Sequence, residues 1–123
     1  MRLNIKELKG KTFTDVYKNE YNNLIYFVLE NGDRYVQYHD QDCCETVTID
    51  DITGDLIDLM NTPILVAEER ISHGDANEYV SSTWTFYEFR TIKGSVTIKW
   101  YGESNGYYSE SVDLKFVAKN DLV

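Results

Sequence analysis

The segment from residue 24 to residue 38 constrains the fold more than any other part of the chain. Two β-prone runs, residues 24–30 and 34–38, are separated by the pair Asn31-Gly32. Asparagine and glycine both tolerate the positive φ that tight hairpin turns require. The sequence therefore predicts an antiparallel hairpin here, and the rest of the fold has to extend an antiparallel sheet.

Other β-prone runs surround this hairpin, at residues 12–17, 45–49, 64–67, 83–91, 96–100 and 107–117. They are rich in β-branched and aromatic residues, and several alternate apolar with polar positions. Within residues 83–91 the alternation changes phase between Phe86 and Tyr87, which predicts a β-bulge. Residues 73–77 are polar and predict a connection between strands.

One short helix is predicted between these runs. Leu56, Leu59 and Met60 have the spacing of an apolar helix side over residues 54–60, and Thr53 is a suitable N-cap. The fold class that follows is α+β, as a single domain over residues 1–123. We expect a mainly antiparallel twisted sheet or partly open barrel of about seven strands with one short helix.

Charge is distributed very unevenly along the chain. Residues 35–69 contain nine carboxylates and no lysine or arginine, which equals the whole net charge of -9. Such a segment repels nucleic acid and attracts basic protein surfaces. We therefore predict that Asp50, Asp51, Asp55 and Asp58 bind a partner; a solvated acidic face is the alternative. Their spacing does not follow the 12-residue calcium loop.

A second candidate contact surface lies near the C-terminus. Tyr107 and Tyr108 are surrounded by serine, glycine and asparagine in residues 104–109. Tyrosine in such a setting is typical of binding surfaces, because it offers a large contact area at a low entropic cost. Aromatic pairing across neighbouring strands explains the same residues without a partner.

His39, Cys43 and Cys44 are the strongest soft-metal ligands in the chain, and they lie close together in sequence. Histidine nitrogen and cysteine sulfur are preferred zinc ligands, so we predict a structural zinc site with Glu68 as a fourth ligand. Asp42, Glu69 and His73 are alternative fourth ligands. The other interpretations are ordinary packing of one cysteine with a surface histidine, or a reactive thiol.

The two cysteines are neighbours, so their Cα atoms lie about 3.8 Å apart, below the usual disulfide range of roughly 4.4–6.8 Å. An ordinary structural disulfide is therefore not expected. The cysteines instead favour a reducing compartment. No signal peptide or membrane-span pattern occurs in the sequence. These observations favour a cytoplasmic location and argue against a membrane partner.

Catalysis is not the expected activity. The sequence contains no P-loop, dinucleotide fingerprint or glycine-flanked nucleophile turn. The carboxylates around the cysteines also disfavour a thiolate nucleophile. A small metal-dependent or cysteine-based enzyme that uses His39 with Cys43 or Cys44 remains the alternative.

Five short motifs occur in the same order in a family that this chain resembles over roughly residues 24–113. They are residues 39–45 (HDQDCCE), 53–59, 67–69, 84–87 and 104–109 (SNGYYS). The family consists of small phage and prophage proteins of unknown biochemical function. The motifs, size and acidity also resemble those of phage anti-CRISPR inhibitors of type II effector nucleases.

The resemblance implies a protein that binds a type II CRISPR effector nuclease in the cytoplasm of the host bacterium. It would block target DNA binding or cleavage without chemistry and without contacting nucleic acid directly. Such effectors hold the guide–target duplex in a positively charged channel, to which an acidic surface is complementary. A phage accessory interaction protein unrelated to CRISPR is the alternative. The resemblance assigns no catalytic residue.

Overall fold

A computed structural model describes residues 3–74 and 80–121, and this part of the chain forms two four-stranded antiparallel sheets. The strands are β1 (Asp15–Lys18), β2 (Ile25–Val28), β3 (Arg34–Tyr38), β4 (Thr46–Thr53), β5 (Val66–His73), β6 (Ser81–Thr91), β7 (Gly94–Ser104) and β8 (Asp113–Val117). The first sheet has the order β1-β2-β3-β8 and the second has the order β4-β7-β6-β5. Residues 75–79 of the predicted polar connection lie outside the described residues.

The predicted hairpin is confirmed as β2 and β3, with Phe27 opposite Tyr35. The Gly32 N–H donates to the Leu29 carbonyl at 2.9 Å, and the Leu29 N–H donates to the Asp33 carbonyl at 2.8 Å. Gly32 has φ +94°, and it is the only residue of the Asn-Gly pair with positive φ. This is the pattern of a three-residue loop that ends in a left-handed residue.

The hydrophobic core lies between the two sheets. Phe27 of the first sheet packs against Phe89 of β6 with ring centroids 5.4 Å apart, and the ring of Phe13 lies at the same distance from Phe27. Trp100 of β7 is fully buried and donates its Nε1–H to Gln37 Oε1 of β3 at 3.2 Å. Each large apolar side chain buried in this way contributes about 1.5–3 kcal/mol. The inner faces of the sheets therefore pack as a sandwich.

The predicted helix at residues 54–60 is a single 3₁₀ turn, Leu56–Leu59, and its N-cap is Asp55 rather than Thr53. Asp55 Oδ1 accepts the Ile57 N–H at 3.0 Å. The prediction failed because β4 continues through Thr53, and Gly54 then turns the chain at φ +99°. Asn61, at φ +61°, reverses the chain again, so too few residues remain for an α-helix.

Two features of the predicted class therefore change. The mainly antiparallel sheet is confirmed, but the described residues contain 3₁₀ turns and no α-helix, so the domain is mostly β rather than α+β. The described residues form eight strands where about seven were predicted, and these strands make two open sheets rather than a partly open barrel. None of the described helices is long and apolar enough to span a bilayer.

The predicted bulge in β6 is also absent. β6 pairs with β7 without interruption from Ser81 to Thr91, and the register shift lies between Ile49 and Asp51 of β4. β6 instead carries aromatic side chains on both faces. Tyr87 is buried in the sandwich, whereas Phe86 lies on the outer face beneath the Arg70 guanidinium, 4.6 Å from its ring centroid. Because β6 has aromatic side chains on both its buried and its outer face, the apolar-polar alternation in its sequence changes phase without a bulge.

Candidate functional site

The loop between β3 and β4 is folded around the buried carboxylate of Glu45. Glu45 is 3% exposed, and its Oε1 accepts the Cys43 N–H at 2.9 Å. Its Oε2 accepts the Asp42 N–H at 2.9 Å and lies 2.8 Å from His39 Nε2. Gln41 Nε2 donates to the Glu45 backbone carbonyl at 2.7 Å. A single side chain thus organises the whole HDQDCCE segment.

Both ring nitrogens of His39 face oxygen acceptors. Nδ1 lies 2.6 Å from the Ser111 carbonyl oxygen, and Nε2 faces the Glu45 carboxylate. A neutral imidazole has only one N–H, so both contacts are hydrogen bonds only when the ring is protonated. The loop is thereby tied to the chain segment that precedes β8.

The carboxyl of Glu45 has a strongly lowered pKa. Burial alone raises this pKa, but the hydrogen bonds from the N–H groups of Asp42 and Cys43 and from His39 outweigh burial. They lower the pKa from 4.5 to about 2. Glu45 is therefore ionised at neutral pH, and its carboxylate is buried against the His39 ring.

The two cysteines are bonded to each other. A disulfide joins Cys43 and Cys44, whose Cα atoms are 3.7 Å apart. No ordinary bridge was expected because the Cα separation of neighbouring cysteines lies below the usual disulfide range, but the bond here joins the adjacent residues themselves. In this form neither sulfur is a thiolate ligand, and both nitrogens of His39 are occupied. The residues as placed do not form a zinc site, and across residues 3–74 and 80–121 no three His, Cys, Asp or Glu residues group around a metal position.

Glu68, the predicted fourth zinc ligand, is not brought to this loop. It lies on β5 in the second sheet, opposite Glu88 of β6, and it is exposed. His39 follows the end of β3 in the first sheet. The zinc site therefore stays a prediction for a reduced form in which His39 has left Glu45.

The four aspartates predicted to bind a partner lie along β4 and the following 3₁₀ turn: Asp50, Asp51, Asp55 and Asp58. Several of them have local structural partners. Asp50 Oδ2 lies 3.4 Å from Lys99 Nζ, Asp51 accepts a hydrogen bond from the Thr53 hydroxyl, and Asp55 caps the turn. Their charge is thus partly compensated within the molecule.

Tyr107 and Tyr108 lie in the connection between β7 and β8, because the predicted strand at residues 107–117 is shortened to Asp113–Val117. Tyr107 is 84% exposed, and its ring meets the ring of Tyr108 edge to face at 5.2 Å. Glu110 anchors the connection: its carboxylate is buried and accepts hydrogen bonds from the hydroxyls of Thr83, at 2.7 Å, and Ser104. The tyrosines are therefore presented on a fixed connection.

Three adjoining cavities lie along residues 106–114, which contribute to the lining of each. The first, of about 300 Å³, is lined by Gln37, Glu69 and Asp113 among others, and the second, of about 310 Å³, shares Glu69 with it. The third, of about 360 Å³, is lined by Asp40, Asp42 and Asp113. No lysine or arginine occurs among the described residues that line the three.

We call this surface the acidic face and define it by four carboxylates: Asp40, Asp42, Glu69 and Asp113. Tyr108 lines the second cavity at its border. The sequence placed Asp40, Asp42 and Glu69 in the acidic segment but gave no reason to separate them from the aspartates of β4. Asp113 was missed, because it alternates with apolar residues in a β-prone run. Only the two-sheet topology brings these carboxylates together.

Comparison with protein families matches residues 6–114 of the 123 to one family model, described as "Domain of unknown function (DUF7448)". No curated protein and no solved structure matches the chain.

Proposed function

The chain belongs to the DUF7448 family, and we propose that it is a non-catalytic binding protein whose acidic face contacts a basic protein surface. The partner in this proposal is the positively charged nucleic-acid channel of a guide-loaded type II CRISPR effector nuclease. The single observation that carries the proposal is the series of three adjoining cavities lined by carboxylates without a lysine or arginine among their described residues.

The acidic face has the properties of a surface for electrostatic recognition. Clefts lined by one sign of charge concentrate the field and accelerate association with a partner of the opposite sign. Asp40 and Asp42 are exposed, and they belong to the loop that Glu45 and His39 hold in place. Tyr107 is 84% exposed and its ring contacts that of Tyr108, which lines the second cavity, so the two tyrosines add aromatic contact area at its border. The backbone that carries Asp42 is thus held in place before binding, which lowers the entropic cost of association.

The choice of partner combines this charge with the resemblance to anti-CRISPR inhibitors. A type II effector binds the guide–target duplex through its backbone in a channel of lysine and arginine. Carboxylates that occupy this channel replace phosphates, and target DNA is then excluded by competition. No bond is made or broken, so the proposal requires no catalytic residue, no direct nucleic-acid contact and no membrane.

The test is the affinity of the protein for a guide-loaded type II effector, measured across a series of salt concentrations. The variant Asp40→Asn, Asp42→Asn, Asp113→Asn removes three charges from the acidic face. We expect its affinity to fall by at least about tenfold, equivalent to ~1.4 kcal/mol, and its salt dependence to weaken.

The matched control removes the same number of charges from the β4 side of the molecule, as Asp50→Asn, Asp51→Asn, Asp58→Asn. We expect this variant to bind nearly as tightly as the original chain. A loss confined to the control would move the interface to the aspartates predicted from sequence. Unchanged, salt-independent binding in both variants would contradict recognition by charge.

The predicted zinc site remains a separate proposal for the reduced protein. It requires Cys43 and Cys44 as thiolates, together with His39, and a local carboxylate such as Asp42 fits better than the distant Glu68. Elemental analysis of tag-free protein purified under reducing conditions decides it. One bound zinc per chain would support the site. If the reduced protein binds no zinc when free zinc ion is supplied, the site is excluded.

A further inference from the structure

β5 is an edge strand of the second sheet, and it differs from the other three edge strands of the described sheets. β1 and β8 are only four and five residues long. β4 is interrupted by its register shift, and its Ile49 N–H donates out of the sheet to the Asn22 carbonyl at 2.6 Å. β5 has eight residues and pairs with β6 without interruption from Val66 to His73. Long, regular edges are templates for a further strand, and native proteins usually interrupt or shorten them.

The surface of β5 is open along most of its length. The side chains of residues 68–73 are all exposed, and Ile71 is 50% exposed among them. Ile71 lines the second cavity together with Glu69 and His73, so these three share one face of the strand, whereas Arg70 lies on the outer face. Among the described residues, no backbone hydrogen bond reaches this run from outside the second sheet. We call residues 68–73 the open edge.

Charge points to a second copy of this chain as the added strand. The open edge carries both signs, with Glu68 and Glu69 beside Arg70, so a purely basic or purely acidic strand would oppose a like charge. Two copies related by a two-fold axis pair antiparallel and keep each face of the sheet continuous. Residues of the same face therefore lie opposite each other, and the residue at the axis sets the register.

The register centred on Ile71 opposes no like charges and joins the two exposed isoleucines. Registers centred on Glu68, Glu69 or Arg70 place two like charges directly opposite each other, which is destabilising. With Ile71 at the axis, Glu69 lies opposite His73 of the second copy. On the outer face, Arg70 then lies opposite Ser72 of the second copy.

We infer that the open edge pairs antiparallel with the open edge of a second copy, with Ile71 at the two-fold axis. The pairing joins the second sheets of the two copies into one continuous sheet and covers the isoleucine side chains. This interface concerns the free protein, so it is tested separately from the effector as partner.

The first test is sedimentation velocity of the full chain over a range of concentrations. We expect the mass to rise from the 14.3 kDa of one chain toward twice that value. Ile71→Lys places two ammonium groups opposite each other at the axis and is expected to raise the dimer dissociation constant at least about tenfold. Ile92→Lys is the matched control, because Ile92 is 81% exposed between β6 and β7, and it is expected to dimerise normally.

The second test measures the register by cross-linking in a Cys43→Ser, Cys44→Ser background. In Ile71→Cys the two new side chains lie directly opposite, with Cβ atoms about 4.5–5.5 Å apart. In Arg70→Cys the two copies lie diagonally, about 7–8 Å apart. We expect Ile71→Cys to form a disulfide-linked dimer under mild oxidation at least about tenfold faster than Arg70→Cys.

Three results would overturn the inference. The first is a single species of one chain's mass at every concentration up to about 1 mM, the weak limit of measurable association. The second is equal self-association by folded Ile71→Lys and the original chain. The third is cross-linking of Arg70→Cys as fast as that of Ile71→Cys, which would place a different residue at the axis.

Discussion

Replacing Phe27 by alanine is expected to remove a large part of the stability of the fold, because this ring joins the two sheets. Phe27 is fully buried in β2, and its ring centroid lies 5.4 Å from those of Phe13 and Phe89, the latter on β6 of the other sheet. Truncation of a buried phenylalanine costs about 3–5 kcal/mol through lost transfer free energy and the cavity that remains. A single domain has a free energy of unfolding of only about 5–15 kcal/mol.

The assay is equilibrium unfolding in urea. With an m-value of about 2 kcal/mol/M, the midpoint of Phe27→Ala is expected to fall by about 1.5–2.5 M. Phe116→Ala is the matched control, since Phe116 belongs to the same sheet but is 46% exposed on β8. Its midpoint is expected to fall by less than about 1 M. Equal shifts in the two variants would refute the claim that the core lies between the sheets.

Two further predictions concern the loop and one turn. The stabilising contribution of the ionised Glu45 is complete above pH 4.5 and is lost as the pH falls toward its folded pKa of about 2. Unfolding measured across this window is expected to lose part of its pH dependence in Glu45→Gln but not in Glu103→Gln; equal profiles would contradict the buried pair. Gly54→Ala places a Cβ 2.5 Å from the Ser95 carbonyl at φ +99° and is expected to cost more than about 2 kcal/mol. Gly10→Ala, at φ +85° with no atom within 4 Å of the new Cβ, is expected to cost only about 1–2 kcal/mol, and equal melting temperatures would refute the close approach at Gly54.

The sequence identified the parts of the fold that local chemistry determines. The β2–β3 hairpin was predicted because residues 31–32 form a turn whatever surrounds them. The helix at residues 54–60 was wrong because apolar spacing at three positions cannot reveal that β4 pairs with β7 through Thr53. That pairing depends on residues far away in sequence.

The candidate site shows the same division. Residues 39–45 were singled out from composition, but their contacts were not foreseen. A glutamate among many acidic residues carries no signal that it is buried, and Glu45 becomes distinctive only when it accepts bonds from His39 and two backbone N–H groups. Gln37 likewise lies in an ordinary β-prone run. Its buried hydrogen bond depends on Trp100 of β7, which the packing of the two sheets brings next to it.

The acidic face required both kinds of information. The concentration of charge in residues 35–69 is evident in the sequence. Which carboxylates share a surface depends on how β3, β5 and β8 are arranged, because Asp42 and Glu69 of this segment meet Asp113, which lies outside it. Without the topology, the aspartates of β4 were the more obvious choice.

The most direct test of the proposed function is plasmid cleavage by a purified, guide-loaded type II effector, with the protein added before or after the target DNA. Competition for the nucleic-acid channel predicts stoichiometric inhibition when the protein is added first and much weaker inhibition when DNA is already bound. It also predicts that the Asp40, Asp42 and Asp113 variant inhibits poorly in either order. Full cleavage at a large excess of the original protein, across several type II effectors, would contradict the account.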